Sequence, residues 1–131
     1  MAVSKETVLY YNPEKSDKIR LLKGVLVRTG IRIKNIGPEQ VNQKVGFLAG
    51  LKGFEEEAVP EGELPVIPEE MMVLHGFTSR RLDELLMQLR RAKVPPIALK
   101  AVLTESNCTW TFFALYEEIR AEHEKMTGDS K

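Results

Sequence analysis

The order of apolar segments is the feature that most restricts the fold of this chain. A short apolar run at residues 8–11 is followed by a segment with apolar residues at helical spacing, then by a strand-like segment and a second segment with helical spacing. The same order of segments begins again at residue 71. The first apolar spacing recurs 63 residues later: Ile19, Leu22, Leu26 and Ile31 correspond to Leu82, Leu85, Leu89 and Val94. We therefore predict an α/β fold made of a duplicated βαβα unit, with about four mainly parallel strands in one sheet and helices packed on it.

Residues that begin and end helices support this order. Pro13 suits a first helical turn, Gly30 suits the left-handed position after a helix, and Thr78 is a helix-capping residue. The segments 31–36 and 97–103 are predicted as the second and fourth strands. A second helix is predicted after Gly37-Pro38, with these residues facing inward: Val41, Val45, Leu48 and Leu51.

The net charge of zero conceals an uneven distribution along the chain. Residues 1–53 carry a net +6, residues 54–70 a net −7, and residues 71–131 a net +1. The middle segment also contains three prolines, which disfavour helix. We predict an N-terminal half at 1–53, an acidic connector at 54–70 and a C-terminal half at 71–131, together forming one compact domain. Neutralisation of the basic half by this connector is the favoured explanation of the charges.

Several classes of protein are disfavoured by simple absences in the sequence. No apolar run reaches the ~18–20 residues that span a bilayer, and the N-terminus has no apolar signal core. Cys108 is the only cysteine, so we expect a cytoplasmic protein without disulfides. One cysteine and two distant histidines do not form a metal-site pattern, and no phosphate-binding glycine motif is present. We therefore expect no metal and no cofactor.

Cys108 and His75 are the weak candidates for catalysis. A thiolate near a helix start is stabilised by the helix dipole, and a cysteine nucleophile requires a base such as histidine. Nothing in the spacing of the two residues specifies such a pair, so an incidental cysteine and an incidental strand-end histidine are the favoured interpretation.

A small ligand site is predicted where the third and fourth strands end, because parallel sheets bind ligands at the carboxyl ends of their strands. The candidate ligand-binding residues are His75, Phe77, Thr104, Asn107 and Trp110. The alternative is that the polar members cap the last helix and that the aromatic members pack in the core.

Nucleic-acid binding is the second hypothesis, and it depends on the basic first half. Tyr10 and Tyr11 are the candidate stacking residues, although they lie in a core-like strand. The basic residues are Lys15, Lys18, Arg20, Lys23, Arg28, Arg32, Lys34 and Lys44. Phosphate contacts of this kind compete with the acidic connector.

The second half also resembles a known family. The residues that carry the resemblance are Leu99-Lys100-Ala101-Val102-Leu103-Thr104, followed by Asn107 and Trp110. Over about residues 69–123 the chain resembles a small bacterial family classed as a domain of unknown function, and the first half resembles the N-terminal region of its longer members. The resemblance implies a bacterial cytoplasmic protein and assigns no activity or site residue.

The leading hypothesis is therefore a non-enzymatic α/β module that binds a protein partner or a small ligand, without membrane association. Nucleic-acid binding through the first half is the alternative, and a thiol-dependent enzyme or redox sensor at Cys108 is the second alternative. A homodimer formed through a sheet edge or the last helix is compatible with this sequence.

Overall fold

A computed structural model gives the fold and describes residues 6–13, 18–56, 62, 64–94, 97 and 99–129, with side chains to residue 124. Four strands form one sheet: β1 (Thr7–Tyr11), β2 (Arg32–Asn35), β3 (Met71–His75) and β4 (Leu99–Val102). The strand predictions therefore identified the four segments, with β2 and β4 shorter than expected.

Four α-helices accompany the sheet. They are α1 (Lys18–Thr29), α2 (Val45–Leu48), α3 (Ser79–Arg91) and α4 (Phe112–Asp129). The N–H of Arg81 donates to the Thr78 hydroxyl at 3.1 Å, so Thr78 caps α3 as the sequence indicates.

The strand order is β2-β1-β3-β4, and the sheet is mixed. The outer pairs β1–β2 and β3–β4 are parallel, whereas the central pair β1–β3 is antiparallel, with Tyr11 opposite Met71 and Thr7 opposite His75. The α/β class is confirmed, and the expectation of a mainly parallel sheet is corrected at its centre.

The connector explains why the central pair is antiparallel. A parallel neighbour requires a crossover that returns the chain along the full length of the sheet. Here the chain instead reaches β3 beside the end of β1, where the Tyr11 hydroxyl donates to the carbonyl of Ile67 at 2.8 Å. Ile67 is fully buried, so this end of the connector is part of the core.

The core lies on both faces of the sheet because alternate residues of a strand point to opposite faces. Val8 and Tyr10 of β1 pack in a cluster with α1 and α3, whereas Leu9 and Tyr11 pack in a cluster with α2 and α4. The fold is thus a sheet between two helical layers, the α1/α3 layer and the α2/α4 layer.

The predicted second helix is largely replaced by tighter structure. The chain forms a 3₁₀ turn at Pro38–Gln40 and then only the four-residue α2. An isolated antiparallel bridge between Lys44 and Thr111 fixes the residue just before α2 in an extended conformation. This long-range pairing overrides the helical spacing of Val41, Val45 and Leu48.

The backbone hydrogen bonds of the two halves correspond to one another. The N–H of Ile36 donates to Tyr10 at 2.8 Å, and the N–H of Leu103 donates to Leu74 at 2.9 Å. At the Lys44–Thr111 bridge, the N–H of Val45 donates to the carbonyl of Trp110, and the N–H of Phe112 donates to the carbonyl of Gln43, each at 2.9 Å. The hydrogen bonds at the ends of the parallel strand pairs are therefore the same in the two βαβ units, and the bridge between the units is symmetric.

The ends of α1 and α3 correspond too, and they lead to a stability prediction. Gly30 (φ 76°) and Lys93 (φ 60°) follow the two helices in the left-handed conformation, which favours glycine. Lys93→Gly is expected to raise the free energy of unfolding by up to about 1 kcal/mol in urea titrations. Ala92→Gly is the matched control, since Ala92 has φ −80° and gains nothing from glycine. Equal destabilisation by both changes would contradict the prediction.

Candidate functional site

The α1/α3 layer contains a groove because the two helices lie side by side on the same face of the sheet. Each helix connects a central strand to the neighbouring outer strand, and such crossovers are right-handed. The antiparallel central pair relates the two units by a half-turn that leaves both helices on one face.

The groove between α1 and α3 has a cationic lining. Arg20 and Arg28 of α1 face Arg91 of α3 across an opening of about 450 Å³. Gly24 lies in the lining, and a methyl group added there meets nothing within 4 Å. The remaining described residues of the lining are Leu21, Gln88 and Ala92, so no acidic residue lines the groove within the part of the chain that the structure describes.

Charge is segregated between the two helical layers. Helix α1 has four basic residues and no acidic residue, and with α3 it carries a net +6. Helix α4 in the opposite layer has five acidic and two basic residues, a net −3. The two helical layers therefore carry net charges of opposite sign.

Several described residues of the acidic connector pack against the α2/α4 layer, whereas Glu70 pairs with Lys18 of α1. The ring of Phe54 packs against Gly46 of α2, and Leu64 packs on the core cluster of the same layer. Glu69 accepts a hydrogen bond of 3.0 Å from the hydroxyl of Tyr116 in α4. Among the described connector residues, Glu70 therefore pairs with a base of the first half, and none lines the α1/α3 groove. Glu57, Glu61 and Glu63 lie outside the described residues, so neutralisation of the basic half by the connector stays a prediction.

Two corresponding ion pairs join the halves at opposite ends of the central strands. The Arg81 guanidinium binds both carboxylate oxygens of Glu6 at 2.7 Å and also donates to the carbonyl of Thr29 at 3.0 Å. At the other end, the Lys18 ammonium lies 2.6 Å from Glu70. In each pair the acid precedes a central strand and the base lies in the first turn of the other half's helix.

The Glu70 pair belongs to a wider network that sequence reasoning missed. The buried Tyr10 hydroxyl donates to Glu70 and accepts from the Asn12 amide at 3.0 Å. Burial, and then the hydrogen bond to Glu70, raise the pKa of Tyr10 above its ordinary value. The only signal in the sequence was a tyrosine inside an otherwise apolar strand, because the partners are supplied by strand pairing.

Residues 70–126 match the family model DUF3783. This family is described as a domain of unknown function, and the match confirms the resemblance found in the second half. No curated protein matches the chain, and no solved structure matches it. The function of the chain is therefore unknown.

The DUF3783 region supplies only part of the groove. It contributes Gln88, Arg91 and Ala92, whereas Arg20 and Arg28 come from the N-terminal half. The groove is thus formed by residues of both halves, so no local sequence motif indicates it.

Both catalytic candidates lie in the DUF3783 region. His75 is the last residue of β3 and is partly buried, and Cys108 lies in a 3₁₀ turn, Asn107–Thr109, before α4. The Cys108 thiol donates to the carbonyl of Glu105 at 3.3 Å, a bond that requires the protonated sulfur. Within the described residues, no hydrogen bond joins His75 to Cys108, and their catalytic role stays a prediction.

The polar candidates of the predicted ligand site form a turn. Asn107 accepts from the N–H of Thr104 at 2.8 Å, and its own N–H donates to the Thr104 hydroxyl at 3.1 Å. The Asn107 amide also donates to the carbonyl of Val102 at 3.0 Å. These bonds occupy both polar atoms of the Asn107 side chain in holding the chain after β4.

The aromatic candidates lie in different layers. Phe77 packs on the core cluster of the α1/α3 layer, whereas the carbonyl of Trp110 accepts from Val45 at the start of α2. Trp110 is 37 % exposed. Their role in ligand binding stays a prediction, and the structure does not bring them together on one face of the sheet.

Two further findings concern metals and membranes. Within the described residues, no group of three or more His, Cys, Asp or Glu side chains is placed to hold a metal ion. Among the described residues, no helix has the length and apolarity needed to cross a bilayer.

Proposed function

We propose that this chain is a non-enzymatic binding module whose α1/α3 groove binds an acidic segment of a partner protein. The observation that carries the proposal is the lining itself, in which Arg20, Arg28 and Arg91 lie together and no described residue is acidic. Arginine is favoured for carboxylate recognition because its planar guanidinium donates two parallel hydrogen bonds.

These arginines are available to a partner. Among the residues that the structure describes, Arg20, Arg28 and Arg91 form no ion pair and no side-chain hydrogen bond, in contrast to Arg81. Unscreened like charges beside one another repel, and an anionic partner relieves that repulsion. Charge complementarity therefore favours an acidic occupant.

A protein segment is favoured over nucleic acid by the exposed apolar residues of α1 and α3. Leu21 lines the groove and is 46 % exposed, while Val27 of α1 and Met87 of α3 are 73 % and 41 % exposed. Such residues offer contacts to the aliphatic side chains of an amphipathic helix. Tyr10 and Tyr11, the candidate stacking residues for single-stranded nucleic acid, are 1 % and 2 % exposed. Neither α1 nor α3 contains an aromatic residue.

Charge reversal in the groove tests the proposal. The probe is a fluorescent synthetic peptide with glutamate and leucine at amphipathic helical spacing, and its anisotropy is measured with the full chain. The double variant Arg20→Glu with Arg91→Glu is expected to weaken binding at least about tenfold, since two charge-assisted contacts become repulsive. The double variant Arg32→Glu with Lys52→Glu, which reverses two exposed charges outside the groove, is expected to leave binding unchanged.

Two results would overturn the proposal. One is equal weakening by the groove variant and by the Arg32→Glu, Lys52→Glu variant, which would reveal attraction to net charge alone. The other is tighter binding of a single-stranded RNA or duplex DNA of equal charge than of the peptide, which would favour the nucleic-acid hypothesis.

We also infer that the two halves arose by duplication of a βαβα unit, in a cytoplasmic protein. Support for the duplication comes from the corresponding ion pairs, helix ends and bridge hydrogen bonds described above. Support for the cytoplasmic location comes from the free thiol of Cys108, the only cysteine.

A further inference from the structure

We propose that a second site, a pocket between α3 and the edge strand β4, binds a small apolar carboxylic acid. The pocket has a volume of about 260 Å³ and lies on the side of α3 away from α1. Met72, Leu89 and Ile97 form an apolar floor, and each is at most 8 % exposed. Pockets that bind small molecules are mostly apolar with few polar groups, as here.

Two cations stand among these apolar residues. Arg90 is exposed and, within the described residues, forms no ion pair or side-chain hydrogen bond. Lys100 donates to the carbonyl of Ile97 at 2.7 Å, which holds its ammonium group beside the pocket. An apolar floor with two cationic groups matches a ligand that has an apolar body and one carboxylate.

Comparison with the first half indicates that the pocket is present because residue 100 is a lysine. Val8 pairs with Ile33 in the parallel outer pair of the first half, and Met72 pairs with Lys100 in that of the second half. Ile33 packs its apolar side chain on the α1/α3 core cluster. Lys100 occupies the equivalent position in the second half with a charged side chain. Isoleucine at position 100 is therefore expected to fill the pocket.

The volume limits the size of the ligand. A volume of 260 Å³ is equivalent to roughly nine waters at about 30 Å³ each. An acid of roughly ten non-hydrogen atoms fits this volume, and octanoate is a suitable probe.

The test is calorimetric titration of the full chain with sodium octanoate. Arg90→Gln is expected to weaken binding about tenfold, since it removes a charge-assisted hydrogen bond, and Lys100→Ile is expected to weaken it at least as much, since the new side chain also fills the pocket. Arg80→Gln is the matched control, because Arg80 is an exposed arginine of α3 that lines neither the pocket nor the groove. Lys100→Gln, which removes the charge and keeps a polar but shorter side chain, tests the same contact if Lys100→Ile fails to fold.

Three outcomes would overturn this proposal: no measurable octanoate binding by the wild-type chain, binding of octanol as tight as that of octanoate, or unchanged affinity in both Lys100 variants. Arg90 lies only in the pocket and Arg91 only in the groove, so failure of one site leaves the other proposal intact.

Discussion

Replacing Arg81 with alanine is expected to lower the free energy of unfolding by about 2–4 kcal/mol. The Glu6 side chain is only 11 % exposed, so the change removes the two hydrogen bonds that Arg81 donates to a largely buried carboxylate. The carbonyl of Thr29 loses a donor at the same time. The Arg81 side chain is itself 33 % exposed, which places the effect below that of a fully buried pair.

Urea titration measures this loss, and Arg80→Ala is the matched control. Arg80 is the exposed neighbour of Arg81 on α3, and its removal is expected to change stability by less than about 0.5 kcal/mol. A basic residue in the first turn of a helix is disfavoured by the helix dipole, so both variants gain equally from that term. Similar stability of the two variants would show that the Glu6 pair contributes nothing.

The second expectation is a steep loss of stability above about pH 10, the ordinary pKa of tyrosine. The chain has three tyrosines, and burial raises the pKa of each in the folded state, with further increases at Tyr10 and Tyr116 from Glu70 and Glu69. The unfolded chain therefore loses phenolic protons that the folded chain still holds. Stability falls as the pH rises, by up to about 4 kcal/mol per pH unit while all three remain protonated in the folded state.

Urea titrations at a series of alkaline pH values measure this slope. Tyr10→Phe removes one of the three ionisations and is expected to make the slope shallower by about 1.4 kcal/mol per pH unit. Phenolate absorbance supplies an independent check on the folded protein. Full ionisation of the tyrosines near pH 10, in a chain that is still folded, would contradict the prediction.

Local signals in the sequence were sufficient for most elements, because caps and stripes are properties of neighbouring residues. Thr78 and Gly30 marked helix ends, and Leu85 and Leu89 marked the buried face of α3. The direction of β3 was not readable, since the connector and the Tyr11–Ile67 hydrogen bond decide it across a long stretch of chain.

The groove was not predictable for a related reason. Arg20 and Arg28 were recognised as basic residues of the first half, but their proximity to Arg91 depends on α1 and α3 sharing one face. That arrangement follows from the strand order, which the sequence does not specify. The candidates at His75, Thr104 and Asn107 were instead found by a rule for parallel sheets, and this sheet is mixed.

The antiparallel centre of the sheet also has a consequence for how the chain unfolds. Each half contains only two strands, which are too few for an independently stable sheet. The second neighbour of β1 is β3, which belongs to the other half. The two ion pairs and the Lys44–Thr111 bridge likewise draw one partner from each half. The topology therefore makes unfolding cooperative. Loss of either half removes contacts that stabilise the other, and the chain unfolds in a single transition.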